Sequence, residues 1–135
     1  MKKMFFLIIL TIILITFFFL FFSSDINTIN KNFLSGFGII TDAEPVSVEE
    51  TQIPKVFDRV YENYNFLQIQ SGFDLSDYRG QNAMRYTYKI LNFPKNEKKD
   101  VYANVICVDN TPVGGDIFCP AIDGFMLPLN YLMTN

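Results

Sequence analysis

The hydrophobic positions of this chain change period along its length, and each change marks a different element. From Met4 to Phe22 every residue except Thr11 and Thr16 is apolar, with phenylalanine on all sides of any helix drawn through it. At about 1.5 Å per helical residue the stretch reaches roughly 28 Å, close to the ~30 Å hydrocarbon thickness of a bilayer. It predicts a transmembrane helix. From Asp25 to Phe37 the apolar residues Ile26, Ile29, Phe33 and Phe37 fall three or four apart, one stripe on a helix that Ser24 or Asp25 can cap and Gly36 and Gly38 can end. Val46 to Gln52 alternates briefly and reads as extended. Pro54 suits the first turn of a second helix, whose face is drawn by Val56, Val60, Tyr64 and Leu67, widened by Phe57 and Tyr61, and which should stop at Gly72.

Beyond Gly72 the period shortens. Gly72 to Gly80 is a loop rich in Asp and Ser. In Met84 to Ile90 the even positions are apolar or aromatic and the odd ones polar, a strand with one wet face. Asn96 to Asp100 makes a turn, Val101 to Val108 reads as a central strand, and Asp109 to Pro112 turns the chain into a last strand, Val113 to Cys119. Gly114-Gly115 inside that strand indicates a bulge or a close backbone approach. The tail from Pro120 to Asn135 packs without regular structure. These elements predict an α+β fold: an N-terminal transmembrane helix, then a small two-layer domain of two helices packed on an antiparallel sheet of three to four strands. The boundaries are 1–24 for cytoplasmic tip and anchor and 25–135 for the exported domain.

Charge adds orientation and removes partners. Lys2 and Lys3 precede the apolar stretch, while Asp25 and the more distant Lys31 follow it, so the positive-inside rule places the N-terminus in the cytoplasm and the domain outside the cell membrane. Phe22 and Phe21 stand where a signal peptidase wants a small residue, which favours an uncleaved single-pass anchor over a signal peptide. All fourteen acidic residues but only nine of the eleven basic ones lie beyond the stretch, a net charge of −5 that argues against nucleic-acid binding. The expected partners are the membrane, through residues 4–22, and a membrane or envelope protein. The chain has no histidine, which removes the usual general base, the commonest zinc ligand and the Ser-His and Cys-His nucleophile systems.

The strings Gly72-Phe-Asp-Leu75, Tyr78-Arg-Gly80, Tyr86-Thr-Tyr88, Tyr102-Ala-Asn104, Gly114-Gly-Asp116 and Asp123-Gly-Phe125, in this order, resemble the domain of unknown function family 4830. The match would run from about Phe33 to Leu127. The resemblance implies a bacterial layout of an N-terminal membrane segment and a small exported domain. It implies no activity, catalytic residue or cofactor, and Cys107 and Cys119 do not belong to its pattern.

Those two cysteines allow a geometric test. With Asn110 and Thr111 as a two-residue turn, Cys107 faces Gly114 and Cys119 faces Tyr102, five ladder positions or ~17 Å away, beyond the ~7 Å reach of a disulfide. Two separate buried thiols are expected. Asp109, Asp116 and Asp123 recur every seven residues but read first as solvated turn residues, and Asp74 to Gly80 lacks the ligand alternation and closing Glu of a helix-loop-helix calcium site. No Ser-x-x-Lys occurs, and no metal or cofactor is expected. Asp116 after the two glycines, Asp123 on a nearby loop and Arg79 as their partner form the candidate binding surface. Tyr86, Tyr88 and Tyr102 read as sheet packing before they read as an aromatic platform. The resulting expectation is a non-enzymatic protein-interaction or regulatory module at the bacterial cell envelope; the alternative is cell-wall carbohydrate binding or hydrolysis using carboxylates.

Overall fold

The computed structural model describes residues 1–22, 25–94 and 99–135, with side chains for 1–16, 25–94 and 99–135. Its centre is a five-stranded antiparallel meander whose spatial order is its sequence order. The strands are β1 (Ser47–Gln52), β2 (Asn82–Lys89), β3 (Tyr102–Val108), β4 (Thr111–Phe118) and the short β5 (Met126–Leu127). The hairpin between β3 and β4 turns on Asp109 and Asn110, both at positive φ (49° and 59°), the backbone that a two-residue turn needs to follow the right-handed strand twist. The turn thus lies one residue earlier than expected, so Cys107 pairs with Pro112 and Ile106 with Gly114, leaving Val113 as the extra residue of a bulge. Both cysteines are buried and free, as expected.

Helix α2 (Ile26–Ser35) ends by closing on itself. Gly38 takes φ 73° while the Ile39 amide donates to the Leu34 carbonyl and the Gly38 amide to that of Ser35, the Schellman pattern that satisfies the last carbonyls. Asp25 precedes α2 without a side-chain cap bond, and Ser24 lies outside the described residues, as does most of the Asn96–Asp100 turn. The second domain helix, α3, spans Arg59–Gln70 and is capped by Asp58, whose carboxylate accepts the Tyr61 amide at 2.8 Å. It begins later than Pro54 because Ile53 is tied into the sheet side: its amide donates to Gln81 and its carbonyl accepts from Gly80. A short 3-10 turn (Leu75–Tyr78) follows, and α4 (Tyr131–Thr134) closes the chain. The tail therefore carries β5 and α4, where no regular structure was expected.

The two domain helices lie on opposite faces of the sheet, which corrects the two-layer expectation to three layers. Alternation assigns Tyr86, Tyr88, Ala103, Val105, Cys107 and Ile117 to one face, where Leu34 and Ile39 complete a core with Leu129. On this face Asn30 of α2 donates to the Tyr88 hydroxyl at 3.1 Å and accepts from Cys107 Sγ at 3.2 Å. The other face holds Ala83, Ile106, Val108 and Val113 under Phe57 and Leu75, with Tyr61 and Tyr64 of α3 packed against them. A single stripe on each helix cannot share one side of a five-stranded sheet whose central strand is buried on both.

A further correction concerns the N-terminus. Helix α1 (Lys2–Phe22) forms, but among the described residues no helix is long and apolar enough to cross a membrane. The expected transmembrane anchor, the single-pass cell-membrane localisation and the cytoplasm-to-outside orientation are overturned on this finding.

Candidate functional site

The three residues singled out from sequence stand apart. Asp116 is 1 % exposed and lies at the end of a row that runs straight across the sheet: Ser47 opposite Thr87, Thr87 opposite Asn104, Asn104 opposite Asp116. Within it the Thr87 hydroxyl donates to Asn104 Oδ1 at 2.7 Å, and Asn104 Nδ2 donates to Asp116 Oδ1 at 3.0 Å. From above, the Tyr64 hydroxyl of α3 donates to Asp116 Oδ2 at 2.7 Å. Burial pushes the Asp116 carboxyl above its ordinary range, against the pull of those two hydrogen bonds and of the nearby Arg85 guanidinium. The same contact, after burial itself, holds the Tyr64 phenol well above its usual value. Both oxygens are used and closed off, so Asp116 belongs to the packing between α3 and the sheet.

Arg79 is exposed and lies over the Phe57 ring, 4.6 Å from its centroid, a cation-π contact; the cation near Asp116 is Arg85. Of the tyrosines, Tyr86 and Tyr88 sit in the α2-side core, while Tyr102 points to the opposite face and meets Phe118 at 5.7 Å between centroids. They form no common platform. The close approach expected at the glycines is present: a Cβ on Gly115 would collide with the Asn104 carbonyl, and one on Gly114 would lie 2.7 Å from Gln68 Oε1. Gln68 uses that oxygen to accept the Gly115 amide at 2.8 Å, although its own Nε2 is buried without a partner. Among the described residues no group of three or more metal-ligating side chains is placed to hold an ion.

Asp123 alone reaches a cleft. The chain leaves β4, and Gly124 closes a turn onto the Ala121 carbonyl at 2.8 Å while the Cys119 amide donates to Phe125; a Cβ on Gly124 would strike the Cys119 carbonyl, so only glycine fits. The turn sets Asp123 and Phe125 against the segment after β2, around a cleft of about 660 Å³ whose far wall is Ile90, Leu91 and Phe93. Phe93 stacks on Phe125 (5.6 Å, 22°) and on Tyr131 (6.1 Å, 15°), one layer of three rings. Two ion pairs stand on the rim, Lys89 with Asp100 at 2.9 Å and Lys99 with Asp123 at 2.6 Å. The Lys99 hydrogen bond holds the Asp123 carboxyl below its usual range, and Asp100 does the same in reverse for Lys89, raising it. Leu91, Phe93, Asp100 and Tyr131 were not singled out from sequence. The signal available was an aromatic beside Pro94, but the partners that make it a cleft lie some thirty residues on.

The family model of the Domain of unknown function (DUF4830) matches residues 33–117. The chain belongs to this family. The matched span runs from the last turn of α2 into β4 and is shorter at its C-terminal end than the resemblance suggested. It contains the Asp116 row and one wall of the cleft, whereas Asp123, Phe125 and Tyr131 lie beyond it. No match to a curated protein or to a solved structure accompanies it.

Proposed function

We propose that this domain works by holding a segment of another polypeptide in the cleft between Leu91 and Phe125, without catalysis. The observation that carries the reading is the cleft itself: an apolar floor of stacked rings with two cation-anion pairs at its edge. That combination suits an apolar side chain flanked by polar backbone and charge, the anatomy of a small protein interface. The charged groups support binding better than chemistry. A general acid needs a carboxyl raised toward neutral pH, yet Asp123 is held ionised by Lys99, and Asp116, which is raised, is sealed under Tyr64.

Carbohydrate binding is the second reading, favoured by the Phe93–Phe125 stack with Asp100 and Asp123 at the same rim. However, Phe93 already has rings against it on two sides, which leaves its faces covered. A photoreactive phenylalanine analogue placed in the full chain at Leu91, with Glu62 as control position, separates the two in cells. A protein adduct from position 91 and none from 62 is the expected result. Absence of any adduct from a chain that melts like the wild type, with retention on immobilised oligosaccharide, would overturn it in favour of the sugar.

A further inference from the structure

Residues 120–135 run alongside β4 and touch three separate parts of the domain. Strand β5 pairs with β4 at two positions, Leu127 opposite Ile117 and Met126 opposite Phe118. Leu129 is fully buried in the α2-side core, seated over Gly115, where an added Cβ would lie 3.1 Å from its Cδ1. Tyr131 goes on to the ring stack at Phe93. Asn130, between them, turns to the other layer: its amide donates to Ser71 Oγ at 3.3 Å and its Nδ2 to the Gln70 carbonyl at 2.7 Å.

That last contact completes a helix end. The final carbonyls of a helix have no partner inside it. Helix α3 closes two of them on itself, the Phe73 amide donating to Gln68 and the Gly72 amide to Ile69, with Gly72 at φ 88°. The carbonyl of Gln70 comes next, and Asn130 takes it. The segment that delivers Asn130 is lightly held, since between 120 and 135 the described residues include one buried side chain, Leu129. A segment with so little buried opens locally at a fraction of the cost of unfolding the sheet. We propose that residues 120–135 form a strap that docks and releases as a unit, and that its docking couples the cleft to the last turn of α3. Docked, it supplies one wall of the cleft through Phe125 and Tyr131 and the donor for Gln70; released, it removes both together. A ligand pressing on Phe125 or Tyr131 favours the docked state and thereby firms the end of α3, a coupling through one element whose equilibrium both sites bias. The coupling does not depend on what enters the cleft.

Hydrogen exchange read by mass spectrometry tests it on the full chain, kept in mild detergent because α1 exposes apolar side chains. Phe93→Ala removes the ring against which Phe125 and Tyr131 stack, and among the described residues no hydrogen bond or ring contact joins Phe93 to α3. The expected result is exchange about tenfold faster at the amides of residues 69–73, matched by Asn130→Ala, with α2 unchanged. Leu91→Ala, on the same cleft wall but outside the ring stack, should leave residues 69–73 as they are. Silence at 69–73 in Phe93→Ala overturns the coupling, whatever Asn130→Ala does. Equal acceleration in α2 also overturns it, because the whole domain has then loosened. Should Phe93→Ala fail to fold, Phe125→Ala breaks the same stack from the strap side and is read in the same way.

Discussion

Tyr64 and Asp116 meet at 2.7 Å across the boundary between α3 and the sheet, fifty-two residues apart in sequence. Among the described residues the phenol donates to a carboxylate whose other hydrogen-bond donor is Asn104, and it ties the helix to the polar row. Tyr64→Phe leaves one buried carboxylate oxygen without its donor. The expected cost is about 1–3 kcal/mol of unfolding free energy, read from the shift in denaturant midpoint at constant slope. A loss within a few tenths of a kcal/mol would show that the contact does not hold the layers together.

The raised Asp116 carboxyl also gives the protein a pH dependence of definite sign. Because its folded value lies above its ordinary one, the stability it contributes is complete at pH below that ordinary value and is lost as pH rises through the folded value. Asp116→Asn keeps an oxygen for Asn104 and does not titrate. Its melting temperature should therefore gain on the wild type as pH rises above the ordinary carboxylate range. Glu49, Asp74 and Asp123 are lowered by their partners and act with the opposite sign, so the difference between the two chains is the quantity to follow. A gap that stays constant with pH would refute the assignment.

Two adjacent glycines should answer differently to alanine. At Gly115 the added Cβ meets the Asn104 backbone carbonyl, which is fixed by the sheet, whereas at Gly114 it meets the end of the Gln68 side chain. Overpacking in a tight core costs about 1–3 kcal/mol or more, and the larger cost belongs to Gly115→Ala. Chemical denaturation of both variants checks the order; equal losses would mean that the Gln68 side chain is as immovable as backbone.

Cys107 offers a chemical readout of the same interior. Its thiol is pushed up to about 11 by burial, and thiolate is the reactive form. At pH 8 iodoacetamide should leave Cys107 and Cys119 unmodified in the native chain and label both once denaturant is added. Fast labelling of Cys107 under native conditions would contradict the packing of α2 over β3.

Much of the sheet was legible from sequence, because alternation in Met84 to Ile90 and the apolar run through Val108 report strands directly. Helix α3 shows why other parts were not. Its apolar positions Val60 and Phe66 are exposed, while Asn65 and Gln68 are buried, so hydrophobicity points the wrong way. The inward groups are polar because their amide oxygens take backbone N–H groups from other elements: Asn65 accepts the Leu75 amide and Gln68 that of Gly115. No local pattern announces a hydrogen bond across forty residues. The hairpin turn, by contrast, was readable in principle: Asp-Asn tolerates positive φ at both central positions, and the β-branched Thr111 does not. The cleft needed the third dimension, since its walls come from the segment after β2 and from the tail.

The meander order also governs how this domain can assemble. Strands β2, β3 and β4 are linked in succession, and the Asp109–Asn110 turn brings β3 and β4 together through the shortest connection in the sheet. Pairing can start there and spread to β2 with little loop entropy to overcome, which favours rapid collapse of the central hairpin. Strand β1 is different: the chain passes through α3 and the 3-10 turn before returning beside it at β2. This connectivity predicts that the Tyr64–Asp116 contact and the β1–β2 ladder form late on the folding route, so variants there should speed unfolding while leaving the refolding rate nearly untouched.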